Sequence, residues 1–148
     1  MIRDLTSADV PALVDLLEVM AAESIYSDFG LHRERTAFIL ADILGKPGVF
    51  AQGEEKDGKI VSILLGEITD HLFFDGSVAS ELLMYAHPEY RKGMGSKRLI
   101  DKFCAWAEEE GADFAQFEAS VGVDNTRAGR FFTVCGLPEC GTVHSRRL

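Results

Sequence analysis

The stretch Pro88-Glu89-Tyr90-Arg91-Lys92-Gly93-Met94-Gly95-Ser96-Lys97 constrains this chain more than any other. It is a glycine-rich, basic turn between two unlike segments. Leu82-Leu83-Met84-Tyr85-Ala86 precedes it and reads as a buried strand. Leu99, Ile100, Phe103, Cys104 and Trp106 follow it at helical spacing. A strand, a glycine turn and a helix N-terminus form an anion-binding device, because free amides and the positive end of the helix dipole point at the turn. Glycine removes the Cβ that would hold a ligand off the backbone. Arg91, Lys92 and Lys97 add positive charge, so the implied ligand carries phosphate. Neither common nucleotide signature fits. A third glycine is missing, since position 98 is Arg98, and no Walker pattern is present.

The rest of the chain predicts a mixed α/β fold. Ile2 to Leu5 is a short strand, and Thr6-Ser7-Ala8-Asp9 is a capping box. Val10, Leu13, Val14, Leu16, Leu17 and Met20 then recur with helical period. A connection with Tyr26 and Phe29 leads to a second helix, His32 to Leu44, ended by Gly45-Lys46-Pro47. Val49 to Gln52 and Ile60 to Ile68 are strands around an Asp57-Gly58 turn. Ser80 to His87 is the strand that enters the glycine turn, and the helix after it stops at Gly111. Phe114 to Val121 is a strand, Asn125 to Cys135 a helix closed by Gly136, and Cys140 to Arg146 a last strand. The order β-α-α-β-β-β-α-β-α-β gives a mixed sheet with helices on both faces.

Length and composition bound the function. At 148 residues the chain predicts one domain over 1–148 with a sizeable core. The net charge of −9 argues against a nucleic-acid partner, which would call for a basic face. The apolar runs are too short to span a bilayer, and the N-terminus carries no signal-peptide pattern. Cys104, Cys135 and Cys140 are odd in number and lack metal spacing, which predicts reduced thiols, a cytoplasmic location and no metal site. His87 reads as a turn residue, and His32 and His144 as surface residues.

The glycine turn resembles the pyrophosphate loop of the GNAT superfamily, the acetyl-CoA-dependent N-acetyltransferases. The family pattern there is Gln or Arg, two residues, Gly, one residue, then Gly or Ala. Gly93 and Gly95 take the two small positions, while Tyr90 stands at the first and Arg91 lies one residue closer. A second segment, Asn125, Ala128, Phe131-Phe132 and Gly136-Leu137, is similar to the family's Asn-to-Gly-Phe motif at matching spacing. The family's tyrosine is replaced by Phe132 and its phenylalanine by Leu137. The element order and the start of the chain resemble the family as well.

The resemblance implies an enzyme that moves an acetyl group from acetyl-CoA, as cosubstrate, to a primary amine within a ternary complex. It implies that the pantetheine arm pairs with the backbone of Met84, Tyr85 and Ala86. The pyrophosphate would sit on amides of Arg91, Lys92, Gly93, Met94, Gly95 and Ser96. Asn125 and Phe132 would lie along the arm. Phe132 has no proton to give a leaving thiolate, so the thiolate departs unassisted or through water, or another group serves, of which Tyr85 is the nearest by sequence; a plain core aromatic is the simpler account of Phe132. Glu67 and Glu81, on central strands flanking Asp70 and His71, are the base candidates, because a carboxylate among apolar neighbours gains a raised pKa. Taken singly, each reads more readily as a solvated strand end. The resemblance puts the acceptor, a small molecule or a peptide, beside the connection with Glu23, Ser24, Tyr26, Asp28 and Phe29. Its acidic and aromatic residues together suit a cationic amine, while each taken singly reads as a variable surface-loop residue. A homodimer is possible on family grounds. The alternatives are a CoA-binding module of this fold with little catalysis, and an unrelated phosphate-ligand domain.

Overall fold

The computed structural model describes residues 1–147. Strands β1 (Ile2–Asp4), β2 (Val49–Lys56), β3 (Lys59–Asp70), β4 (Ser77–Ala86) and β5 (Phe114–Gln116) lie side by side in chain order. The first three pairings are antiparallel and β4 pairs with β5 in parallel. Helices α1 (Val10–Glu23) and α2 (Arg33–Gly45) cover one face, and α3 (Gly95–Glu109) covers the other. Helix α4 (Asn125–Val134) follows β5. Every helix and the hairpin fall where local signals place them. Thr6 and Asp9 form the reciprocal capping box. Asp57 and Gly58 both adopt positive φ (50° and 73°), as a tight two-residue hairpin turn demands.

Two expected strands differ. The strand expected over 114–121 pairs only as far as Gln116, and residues 140–146 form no strand. With β5 ending so early, the sheet offers no long outer edge on which a further strand could pair. Gly141 and the exposed Val143 also give that stretch little to bury. Instead Arg147 reaches Asp28 at 3.3 Å and lies over the Phe29 ring.

The core has two layers separated by the sheet. Leu13, Val14, Leu17, Leu40, Ile63, Leu65 and Tyr85 pack under α1 and α2. Phe50, Leu64, Ala79, Leu99 and Phe103 pack under α3. The α3 layer depends on Gly66, because a Cβ there would overlap the Phe103 ring and crowd the Ser80 carbonyl. Gly66→Ala is therefore expected to destabilise the fold by about 1–3 kcal/mol in denaturant titration, with the ring forced off Gly66.

Candidate active site

The register of β4 sets the geometry. Gly66 faces Glu81 while Leu65 faces Leu83, so Leu82 is an extra residue, a β-bulge. A bulge bends its strand and re-aims the neighbouring side chain. Beyond the bulge, β4 has lost its partner on one side. It pairs with β5 only over Val78–Ser80, whereas the chain after Gln116 turns away. Residues 81–86 of β4 therefore have no strand partner on the side of the segment 117–122, and this unpaired side is the slot. The far end of that segment is fixed by Ile25, whose amide donates to the Val121 carbonyl at 3.0 Å.

Backbone groups line this slot. The His87 amide donates to Val61 O at 2.9 Å, which fixes the parity of the antiparallel ladder. By alternation Tyr85 bonds to β3, while Met84 and Ala86 turn their N–H and C=O toward the slot. Of the three residues expected to meet a pantetheine arm, two turn their backbone edges away from β3. Both are touched by the chain's own side chains: Arg91 Nε donates to Ala86 O at 2.9 Å, and the Met84 amide faces the Glu81 carboxylate.

Glu81 sits at the apex of the slot. Its Oε2 accepts from the Glu118 amide at 3.1 Å across the opening. Burial pushes its pKa up to about 7 against the opposing pull of the Glu118 and Met84 amides. Glu67 differs. The register puts it opposite Ser80, one position from the Gly66–Glu81 pair and so on the other face. There it lies near Lys46 at the end of α2. The two glutamates do not form a pair. Asp70 and His71 lie at the hairpin end of β4, about 30 Å of strand away from the turn.

Tyr85 points to the α1 face. Its hydroxyl donates to Glu23, and burial, followed by that carboxylate, raises its pKa well above the ordinary tyrosine value. Such a group is a weaker acid than a free tyrosine. Glu23 also accepts from both terminal nitrogens of Arg91. Burial opposes ionisation of Glu23, but the Arg91 and Tyr85 hydrogen bonds outweigh it and hold the carboxyl below its usual range.

The turn itself contains a 3-10 turn, Pro88–Tyr90, and then the start of α3. No side chain caps α3, and its first intrahelical bond runs from the Arg98 amide to Met94 O. The amides of Gly95, Ser96 and Lys97 therefore lack intrahelical partners. The Gly93 amide is already bonded to Tyr90 O at 3.1 Å. Lys92 is exposed, while Lys97 is paired with Asp101.

Three features of the site were not read from the sequence. Glu54, 2% exposed, lies directly beneath Gly95, where a Cβ would overlap its carboxylate. Arg98 (3.3 Å) and Lys56 (3.6 Å) accompany that buried charge. Lys56, from the end of β2, thereby joins the basic residues at the turn. Only the β2–β3 register carries Glu54 and Lys56 there. An alternation count along 49–56 would have placed Glu54 on the Gln52 side of the sheet, but no sequence signal joined it to Gly95.

On α4, Asn125 Oδ1 accepts from the Gly122 amide at 3.0 Å, holding the loop that closes the slot. Phe132 packs at a 45° tilt against Phe117, centroids 5.5 Å apart, and Phe117 packs edge-on to Phe103 at 5.1 Å. It is one end of an aromatic row that runs into the core. A cavity of about 510 Å³ lies elsewhere, against the β1–β2 edge between Leu44, Phe50, Gln52 and Trp106. It contains no residue of the turn or the slot.

A mixed α/β sheet whose one parallel pair stops after Ser80, beside an uncapped helix N-terminus, is the frame of the site. The sequence profile of the Acetyltransferase (GNAT) family matches residues 15–137. The chain belongs to that family and is an acyltransferase by class. A search of curated proteins gives no significant match. Solved structures are similar in fold over the whole chain. The aminoglycoside N-acetyltransferase AAC(6')-Iy in complex with CoA is 16% identical, with 100% of this chain and 93% of that one covered and a TM-score of 0.78. Ribosomal-protein-alanine N-acetyltransferase from Brucella melitensis biovar Abortus 2308 is 18% identical over 100% and 96% of the chains, with a TM-score of 0.70. A transcriptional regulator from Bacillus halodurans C-125 is 16% identical over 100% and 99%, with a TM-score of 0.82. At such identities the likeness shows the fold alone, and the three names share no acceptor.

Proposed function

We propose that this protein, as one catalytic domain over 1–148, transfers an acetyl group from acetyl-CoA directly to a primary amine. The observation that carries the reading is the slot with Glu81 at its apex. A thioester needs little activation, so holding it beside a neutral amine supplies much of the rate. The remaining demand is a base, and Glu81 is the chain's own group with a pKa suited to taking a proton near neutrality. Glu67 on the opposite face and the hydrogen-bonded Tyr85 fit the acid and base roles less well.

When bound, acetyl-CoA supplies the activated acyl group and the thiolate leaving group. The Met84 N–H, which faces Glu81, and the Ala86 C=O, which accepts from Arg91, lie on the side of β4 turned away from β3 and suit the amide groups of the pantetheine arm once those side chains release them. The Gly95 and Ser96 amides and the exposed Lys92 suit the diphosphate. The acceptor side is the end of α1 at Glu23 and the α1–α2 connection, which carries Tyr26, Asp28 and Phe29. There a guanidinium already lies over Phe29 and against Asp28, so this surface accommodates a cation. The odd number of cysteines, Cys104, Cys135 and Cys140, and their lack of metal spacing are the grounds for a reducing compartment. Among the described residues no helix is long and apolar enough to cross a membrane.

Calorimetric titration with acetyl-CoA, with ATP and NAD as controls, tests the cofactor. Selective binding of acetyl-CoA is expected. Gly93→Glu should abolish it, because the new carboxylate would stand at the positive end of α3. There is space for a side chain at Gly93, whose Cβ would meet only Lys56 Nζ and Tyr90 O at 3.4 Å. Retained affinity in a folded Gly93→Glu protein would place the diphosphate elsewhere. Cofactor binding with no thiol release on any amine would instead favour a non-catalytic CoA-binding module.

A further inference from the structure

Arg91 sits in the cofactor turn, but its charge is spent across the molecule. Its guanidinium holds Glu23, the last residue of α1, and its Nε caps Ala86 O in the slot. It also lies over the Tyr85 ring, 5.3 Å from the centroid. Glu23 needs this cation. A carboxylate at a helix C-terminus faces the negative end of the dipole, and the Glu23 side chain is only 29% exposed. The Tyr85 hydroxyl donates to it but brings no charge.

We propose that Arg91 exchanges partners. In the free protein it neutralises Glu23, and the diphosphate of CoA draws it off, baring the Glu23 carboxylate on the acceptor side. The inference rests on the cofactor reading above. Its physical basis is competition of two anions for one cation. Arg91 lies four residues before Gly95, so a diphosphate on the first amides of α3 is within reach of its side chain. A diphosphate offers more charge than one carboxylate and accepts the same forked geometry. The exchange also removes the cap from Ala86 O, freeing that carbonyl for the pantetheine arm. Glu23 is thus a positioning residue that sets cofactor affinity through Arg91, and the bared carboxylate favours an acceptor with a cationic group.

The test is a double-mutant cycle read by calorimetry with CoA at low salt on the full chain. Glu23→Gln keeps an acceptor for the Tyr85 hydroxyl and is near-isosteric. It is expected to tighten CoA about fivefold, the order of a partly exposed ion pair. Arg91→Gln is expected to weaken CoA, and Glu23→Gln on that background should change nothing further. An unchanged or weaker affinity in Glu23→Gln overturns the exchange. So does a tightening that persists without Arg91, which would mark a general field effect of one lost negative charge. Absence of CoA binding by the parent protein overturns the cofactor reading itself, and the exchange with it.

Discussion

Glu81→Gln is expected to lower kcat about 100-fold with little change in KM, the magnitude of a lost general base. The substitution is close to isosteric, and the glutamine oxygen can still accept from the Glu118 amide, so the slot keeps its apex. The pH profile is the sharper reading. In the parent protein kcat/KM should rise with pH and level off above about 7, where the Glu81 carboxyl loses its proton. In the variant that inflection should vanish. Stability should move the other way. The folded state holds the Glu81 proton to about 7, whereas the unfolded chain releases it near the ordinary value of 4.5. Between those values the native state binds more protons, so this group's contribution to stability declines as pH rises. Glu81→Gln should remove that decline. A variant that keeps the parent's kcat and inflection would assign the base elsewhere.

Gly95→Ala is expected to cost about 3 kcal/mol, or about 10 °C in Tm. The methyl group would occupy the place of the Glu54 carboxylate, which is 2% exposed and has Arg98 and Lys56 as its cations. Either the helix start lifts away from β2 or the buried charge is displaced from its partners. Gly93→Ala should fold nearly as the parent does, because its Cβ finds only ordinary contacts. Thermal unfolding of the two alanine variants side by side separates the glycines. Equal Tm values would mean that Glu54 relaxes at no cost.

The glycines also show where reading the sequence reaches its limit. Both stand in a pattern that announces a phosphate turn, and the structure places an uncapped helix start there. The reason for Gly95 differs from the one the pattern supplies. Ligand approach from outside explains a glycine at that position, but the nearest demand comes from inside, from a glutamate 41 positions earlier in the chain. The same holds for Arg91. A basic residue in the turn is visible in the sequence, yet its pairing with Glu23 spans 68 positions.

What the sequence determined by itself is local. The Thr6–Asp9 box, the Asp57-Gly58 turn and the period of the α3 face are set within a few residues by backbone propensity and hydrophobic spacing, so they were legible without a partner. The family motif was equally legible, because its spacing is counted along one segment. Tertiary structure alone decided the rest. Pairing register and the Leu82 bulge put Glu81 in the slot and Glu67 on the other face. The early end of β5 made the slot and left residues 140–146 without a strand to join. Burial then set the charge states, raising the Glu81 pKa and binding Glu23 to Arg91. These outcomes depend on which distant groups share a low-dielectric space, and chain neighbours carry no record of that.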